Sequence, residues 1–457
     1  MKTTFHSACS LVAGALLLLA GACGRPQAQS AGPAAATPTP VQAINVALGQ
    51  LNQRGEFSGA ALVADKGRVV YQQAFGFARE AAAGQELRAD ARFDVTALAP
   101  TFTAAAVLAL RDQGELRLDD ALSAYVPNLP YPGVTLRHLL THTSGLPEVD
   151  VRESGNDVAA ELYYQRPAAA FAPGSRWAYA AVNDALLRKV VERVSGLAFA
   201  DYLSQAVFGP LNMRDTRVLA AGRDAEGNLA ESRIYSTLND LHAWVQGLRS
   251  GQLLAPASVQ ELFTPARLQD GSFAQAGQPG RPATFGMGWF LGTGPGRRAG
   301  HTVAWHAASQ QGYFAYLGFD LSADRIVILL DNTPETRGAL ATAAVMQQAL
   351  SGQRAVAPAK RSAAREMGRL LASQGLEAAV LHYASVHTDT SRYYASQAEF
   401  EQLSRALQAR QRPADAEAVL AVYAATSGQS LAARRQLRAQ LAGQRRAVAA
   451  PPAVLAI

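Results

Sequence analysis

Apolar positions recur along this chain at two different spacings, and the changes between them divide it. Val41, Ile44, Leu48 and Leu51 repeat every three to four residues, which predicts a helix over 41–54 stopped at Gly55. Alternation takes over at 59–64 and 68–75, two strand-like runs joined through Asp65-Lys66-Gly67, a hairpin signature. Helical spacing returns within 93–118, where Phe102, Ala105, Ala106, Ala109 and Leu110 mark a buried helix and Gly114 ends it. A helix start with a short apolar face follows at 118–127, then helices at 135–140, 184–194 and 240–248, with long connections between them. One of these, 269–282, is rich in Gly and Pro. Strand patterns resume at 285–291, 302–306, 312–319 and 325–330, with Leu321-Ser-Ala-Asp324 as the last turn, and 338–350 closes as a helix.

Strands at both ends of residues 41–351, with an irregular helical region between them, imply an α+β domain. Its antiparallel sheet is assembled from the chain ends, flanked by helices and set beside a helical lobe. After a linker at 352–362 the texture changes to helical periodicity at 367–373, 376–386, 397–409, 414–425 and 431–441, broken at Gly375, Pro413 and Gly428. Glu377-Ala-Ala-Val-Leu-His-Tyr-Ala and Glu417-Ala-Val-Leu-Ala-Val-Tyr-Ala look alike at an offset of 40 residues. A tetratricopeptide repeat has about 34, so 363–445 reads as an all-α region of helical hairpins, tetratricopeptide-like in character. Residues 446–457 read as a loose tail.

The front end is a processing signal. Lys2, an apolar run at 11–20 and then Ala20-Gly-Ala-Cys23 resemble a bacterial lipoprotein signal, with Ala20 where such boxes usually carry leucine. The reading is a signal peptide at 1–22, lipid attachment at Cys23 and a flexible tether at 23–40. Cys9 leaves with the signal, so the mature chain has neither an intrachain disulfide nor a Cys-based metal site. No Asp follows Cys23, and resemblance to Gram-negative lipoproteins then favours the outer membrane, facing the periplasm. The net charge of +6 comes from scattered arginines without an aromatic-interleaved basic face, which argues against nucleic acid as a partner.

Four strings occur in order: Leu139-Leu-Thr-His-Thr-Ser-Gly-Leu-Pro147, Pro210-Leu-Asn-Met-Arg-Asp-Thr216, Tyr235-Ser-Thr-Leu-Asn-Asp-Leu-His-Ala-Trp244 and Phe285-Gly-Met-Gly-Trp289. Over residues 42–350 the chain resembles the β-lactamase-related serine hydrolases. That group holds class C β-lactamases, D-alanyl-D-alanine carboxypeptidases and penicillin-binding-protein-like esterases. The resemblance implies three motifs. Ser-x-x-Lys puts nucleophile and base on one helix face. Tyr-x-Asn supplies a phenol for proton transfer and an amide for substrate. Lys-Thr-Gly or His-x-Gly lies on a strand whose glycine admits substrate to the backbone.

Carried over position by position, the motifs are damaged. Ala97 stands for the serine and Pro100 for the lysine. Tyr179-Ala180-Ala181 keeps the tyrosine and has Ala181 for the asparagine. His306-Ala307-Ala308 keeps the histidine and has Ala308 for the glycine. The chain holds four lysines, Lys2, Lys66, Lys189 and Lys360, none at a motif position. Thr96, one residue before the vacant position, is rotated by about 100° on a helix.

No catalytic set is intact, and the reading is an inactive homologue without cofactor or metal. By resemblance, Ala97, Tyr179, His306 and Ser309 would line a ligand site, with the amides of Ala97 and Ser309 as main-chain donors. A peptidoglycan-derived or acyl ligand is one expected partner, and a protein held by residues 363–445 is another. The competing expectations are an active esterase, DD-peptidase or β-lactamase working through Tyr179, His306 or an unrecognised serine, and an interaction scaffold built on the C-terminal helices. His138 and His142, four apart, read as structural rather than zinc-binding, because no acidic residue accompanies them. Ser144 and Ser309 read as loop and strand-end residues, and His382 and His387 as surface or boundary residues.

Overall fold

The computed structural model describes residues 38–78, 86–149, 158–165, 168–219, 222–223, 229–230, 232–277, 282–294, 302–310, 312–333, 339–353, 361–389 and 392–426. The expected signal peptide, Cys23, nearly all of the tether, most of the 352–362 linker, the helix at 431–441 and the tail at 446–457 lie outside them.

Helix α1 (Pro40–Gln53) begins on strong start signals. Pro40 occupies its first turn, and Thr39 and Gln42 exchange hydrogen bonds: Thr39 Oγ1 accepts from the Gln42 N–H at 3.3 Å, and Gln42 Oε1 from the Thr39 N–H at 2.9 Å. Strands β1 (Gly59–Asp65) and β2 (Arg68–Phe75) form the expected hairpin. The lobe follows as β3 (Phe93–Asp94), a 3-10 turn at Thr96–Leu98, α2 (Ala99–Asp112), α3 (Leu136–Leu140), α4 (Val158–Gln165), α5 (Ala181–Ser195) and α6 (Phe199–Leu203). It continues as β4 (Arg217–Leu219), β5 (Gly222–Arg223), β6 (Leu229–Ala230), β7 (Arg233–Ser236), α7 (Leu238–Arg249) and α8 (Pro256–Leu262). The chain then returns to the sheet as β8 (Ala283–Phe285), β9 (Phe290–Gly292), β10 (Val303–Gln310), β11 (Tyr313–Asp320) and β12 (Arg325–Asp331), before α9 (Ala339–Leu350).

The main sheet runs β2-β1-β12-β11-β10-β9-β8, every pair antiparallel. Side-chain parity sends its residues into two cores. Ala60, Leu62, Leu317, Phe319, Ile328 and Leu330 face the lobe and α2, whereas Ala61, Val63, Phe314, Tyr316, Val327 and Leu329 pack with α1 and α9. Helix α2 is buried on all sides from Thr101 to Leu110, as befits a helix apolar around its whole circumference. Its Phe102 ring meets Trp244 of α7 at 4.7 Å and Phe208 edge-on at 5.6 Å.

Several elements differ from the pattern-based expectation. Residues 285–291 are not one strand but the end of β8, a tight turn and β9, because Gly286 and Gly288 fold the run back on itself. Strand β10 continues four residues past His306, and α5 starts at Ala181 rather than 184. Residues 118–127 supply only a 3-10 turn at Leu122–Ala124. Helices α4, α6 and α8 and the small sheet β3-β7-β4 have no counterpart in the hydrophobic pattern.

After α9, helices α10 (Ala363–Ser373), α11 (Leu376–Val386), α12 (Gln397–Ala409) and α13 (Pro413–Thr426) pack around Met367, Leu371, Tyr383, Phe400 and Leu420. Strand β13 (Arg361–Ser362) pairs in parallel with β14 (Tyr393–Tyr394), so the region is helical with one short strand pair rather than all-α. No helix among the described residues is long and apolar enough to cross a membrane.

Candidate functional site

The approach to α2 is fixed by side chains that hold its backbone. Asp94 Oδ1 accepts from the Thr96 N–H at 2.9 Å and from Thr96 Oγ1 at 2.6 Å, and Thr96 Oγ1 accepts from the Ile234 N–H at 2.9 Å. Arg233 Nε lies 3.3 Å from Asp94 Oδ2. Thr96 is therefore consumed by structure. The same ties place Ala97 in the middle of the 3-10 turn and Pro100 in the first turn of α2, where a missing N–H costs no bond. Both are half-buried, and the Ala97 N–H finds no acceptor among the described residues.

Against this turn lies the end of β10. His306 is buried, its Nδ1 2.9 Å from the Gly288 carbonyl and its ring near the Ala97 main chain. Burial pushes its pKa down, outweighing the two main-chain partners and the Asp184 carboxylate, which favour the protonated ring. Gly288 makes the approach possible: at φ +77°, a Cβ there would sit 2.6 Å from the Pro100 carbonyl oxygen. Ala308 is half-buried opposite Ala315 of β11, and Ser309 is exposed opposite Phe314.

The third wall descends from the string at 139–147. His138 and His142 do not share a helix face, since His142 follows α3 at φ +53°. His138 Nδ1 accepts from the Thr135 N–H at 3.2 Å and caps α3. His142 is 3% exposed, and its Nδ1 faces two donors, the Ala180 N–H at 3.2 Å and Asn183 Nδ2 at 3.0 Å. Nδ1 must then be the acceptor, and the ring's single proton sits on Nε2. Ser144 Oγ donates to Asn183 Oδ1 at 2.7 Å, so this serine is buried structure. Main-chain bonds from Ala170, Gly174 and Ala178 to Gly145, Thr143 and His142 complete a brace. At Gly145 a Cβ would meet the Phe171 carbonyl oxygen at 2.0 Å. The purpose of the string is thus to hold the segment that carries Tyr179.

Tyr179 is 48% exposed and its ring stacks on His142 at 4.5 Å. Desolvation first, then the carboxylates of Asp184 and Glu148, push its phenol up to about 12 despite Arg188. At neutral pH it is a hydrogen-bond donor and not a base. Ala181 is exposed at the first position of α5, its N–H bound to Glu148 Oε1 at 2.6 Å. Lys66 lies in the β1–β2 turn and Lys189 within α5, so neither stands at a motif position. Among the described residues no three His, Cys, Asp or Glu side chains gather closely enough to hold a metal ion.

Sequence reasoning does not find His142 as the organiser of this wall, nor Asn183 and Asp184 at the start of α5. The only signal at Asp184 is Arg188 four residues later, an ordinary helix-surface pair.

His142 makes a pH prediction. Burial lowers its pKa to about 3 in the fold, against an ordinary value of 6.5. Between those values the unfolded chain binds more protons, so this group's stabilisation is complete above about pH 6.5 and is lost as pH falls toward 3. His306 acts in the same direction, whereas Asp331, raised to about 6 by burial, acts oppositely below that pH. A comparison with His142→Gln isolates the first effect. Between pH 7 and 5 the wild-type unfolding free energy should fall more steeply than the variant's, by up to about 1.4 kcal/mol per pH unit. Equal slopes in denaturant titrations would refute the assignment.

Comparison with known proteins places this geometry. A family model described as Beta-lactamase matches residues 44–351. A penicillin-binding protein of Bacillus subtilis (strain 168) is 27% identical over 301 residues, covering 56% of this chain and 64% of that protein. Esterase EstB of Burkholderia gladioli is 33% identical over 196 residues, covering 37% and 49%. The chain thus spans between about half and two thirds of the length of these curated relatives. The octameric penicillin-binding protein homologue from Pyrococcus abyssi superposes with a TM-score of 0.55 at 21% identity, over 67% of this chain and 76% of that one, a likeness of fold.

Proposed function

The chain belongs to the Beta-lactamase family, and on that premise we propose that it is an exported, lipid-anchored member that binds a ligand in the family's cleft without turning it over. One observation carries the reading: the residue on the 3-10 turn beside His306 is Ala97, and the residue three further on is Pro100, so the turn presents a methyl group and a ring where acylation needs a hydroxyl and an amine. In another hydrolase with a serine nucleophile, losing that residue costs about 10⁶-fold in turnover. Main-chain donors survive such a loss, and the Ala97 N–H, without an acceptor among the described residues, supports a site for a carbonyl or carboxylate. Relatives named as penicillin-binding proteins and D-aminopeptidases suggest a peptidoglycan-like peptide as that ligand.

The test is intact-mass measurement of protein extracted from membranes after exposure to a fluorophosphonate or a β-lactam. The expected species begins at a lipidated Cys23 and carries no adduct. A stoichiometric adduct, lost on changing one residue, would overturn the inactive reading. A water-soluble chain without lipid would overturn the anchor.

The helical hairpins at 363–426 support a second role as a tetratricopeptide-like module for a protein partner, with Leu381 64% exposed on their surface. Pull-down of a partner left unchanged by removal of residues 363–457 would count against it.

A further inference from the structure

Helix α1 ends at Arg54 and Gly55, and β13 and α10 come back against that end from far along the chain. Arg54, Arg361 and Arg369, with Gln50, Gln53 and Glu366, line a cleft of about 320 Å³ there. Gly55 permits the approach: at φ +69° it carries no side chain, and a Cβ would lie 3.3 Å from Arg369 Cδ. Arginines at a surface are ordinarily just solvated charge. The partners of these three point to more than that. Glu366 is the one carboxylate among the lining residues, and its Oε1 is shared by Arg361 Nη1 and Arg369 Nη2, both at 3.8 Å, and His382 Nε2 at 3.3 Å. The two arginine contacts are too long for hydrogen bonds. Arg361 also reaches the Tyr393 hydroxyl, at 3.4 Å. The side chains of Arg54, Gln50 and Gln53 have no hydrogen-bond or ion-pair partner among the described residues.

We propose that this cleft binds a phosphate-class oxyanion, seated between α1 and α10 and bridging them. It shares no lining residue with the site beside Ala97, and it does not depend on the inactive reading. A tetrahedral oxyanion presents lone pairs in several directions, so guanidinium forks converging from different elements can each take one or two of its oxygens. A carboxylate is planar and matches a single fork. The charges agree. Three guanidinium groups face Glu366, and the other carboxyl group acting with them, Glu56, is pushed toward its neutral form by burial, against the pull of Arg54, Arg365 and Arg361. Arg365 has a counter-charge of its own in Glu399, 3.7 Å away. The lining therefore keeps an excess of positive charge, and a cleft lined by one sign concentrates counter-ions from solution. The donors of Arg54, Gln50 and Gln53 are there to be filled. Because the ligand would touch α1 on one side and α10 on the other, occupancy would tie the C-terminal helices to the end of α1.

The experiment is isothermal titration calorimetry of the full chain with inorganic phosphate and with pyrophosphate, in chloride buffer at constant ionic strength. One saturable site per chain is expected. Arg54→Gln or Arg369→Gln should weaken binding about tenfold or more, the loss of one charge-assisted contact. Glu366→Gln removes the repelling carboxylate and should tighten it. Arg88→Gln and Arg92→Gln, exposed and paired with Asp90 and Asp215, should leave it unchanged. Circular dichroism on each variant confirms folding, and Arg54, which has no side-chain partner to lose, is the variant least able to disturb it. A second arm offers phosphatidylcholine vesicles with and without phosphatidic acid. Capture that needs phosphatidic acid and is lost with Arg54→Gln assigns the phosphate to a lipid headgroup, and binding of the soluble anions alone assigns it to a free phosphate. No saturable binding in either arm, or equal weakening by the Arg88 and Arg92 substitutions, would overturn the proposal.

Discussion

Replacing Ala97 by serine and Pro100 by lysine together leaves hydrolysis of a chromogenic β-lactam or a p-nitrophenyl ester at background. The pair restores the hydroxyl and the amine, but three further obstacles remain. Ala181, exposed at the start of α5, has no amide to hold a substrate carbonyl. Ala308 puts a methyl on the strand where glycine would let substrate approach the backbone. The phenol of Tyr179, raised to about 12, is a poor proton acceptor at neutral pH. The residual advantage of a cleft with main-chain donors alone is about 10³ to 10⁴ over water. The double variant should therefore stay within tenfold of the native chain. Activity appears only when Ala181→Asn and Ala308→Gly are added. The measurement is initial rate under substrate excess, with circular dichroism confirming a folded variant. Recovery from the first pair alone would show the pocket to be less altered than proposed.

The second large effect is on stability. Trp244→Ala should lower the unfolding free energy by about 3–5 kcal/mol, the range for deleting a large buried aromatic. Trp244 is 0% exposed and packs against Phe102 at the heart of α2. Its Nε1 has no hydrogen-bond partner among the described residues, so the loss is one of packing and cavity rather than of a polar contact. Trp244→Phe keeps part of the ring contact and should cost less than half as much. The check is a guanidinium titration in which the midpoint falls while the slope is unchanged. A loss under about 1.5 kcal/mol would mean that Phe102 and Phe208 close over the gap, against the close packing of native cores.

How much of this is legible in the residues depends on how local each cause is. The β1–β2 hairpin and the buried helix α2 are written in short-range periodicity and lie where that periodicity puts them. The turn at Gly286 to Trp289 is not, since a strand pattern cannot reveal that Gly288 must admit the Pro100 carbonyl from another element. Helix α4 and the strands β4 and β7 are short, and β3 is held to β7 by partners more than a hundred residues away in the chain. The same division holds in the site. Ala97, Pro100, Tyr179, Ala181, His306 and Ala308 can be singled out by resemblance. The acceptor role of His142 arises only from tertiary approach.

The pairing of β1 with β12 sets a schedule for biosynthesis. Asp65 and Arg325, which close that pair, are 260 residues apart. At synthesis rates of about 5–20 residues per second, the amino-terminal hairpin waits roughly 10–50 s for the strand that covers its inner edge. During that interval β1 offers an apolar, unpaired edge to any neighbouring chain. A nascent chain of this design depends on being held apart from its copies until residue 331 has emerged, and truncations ending before β12 should be recovered as aggregates rather than as a smaller folded domain.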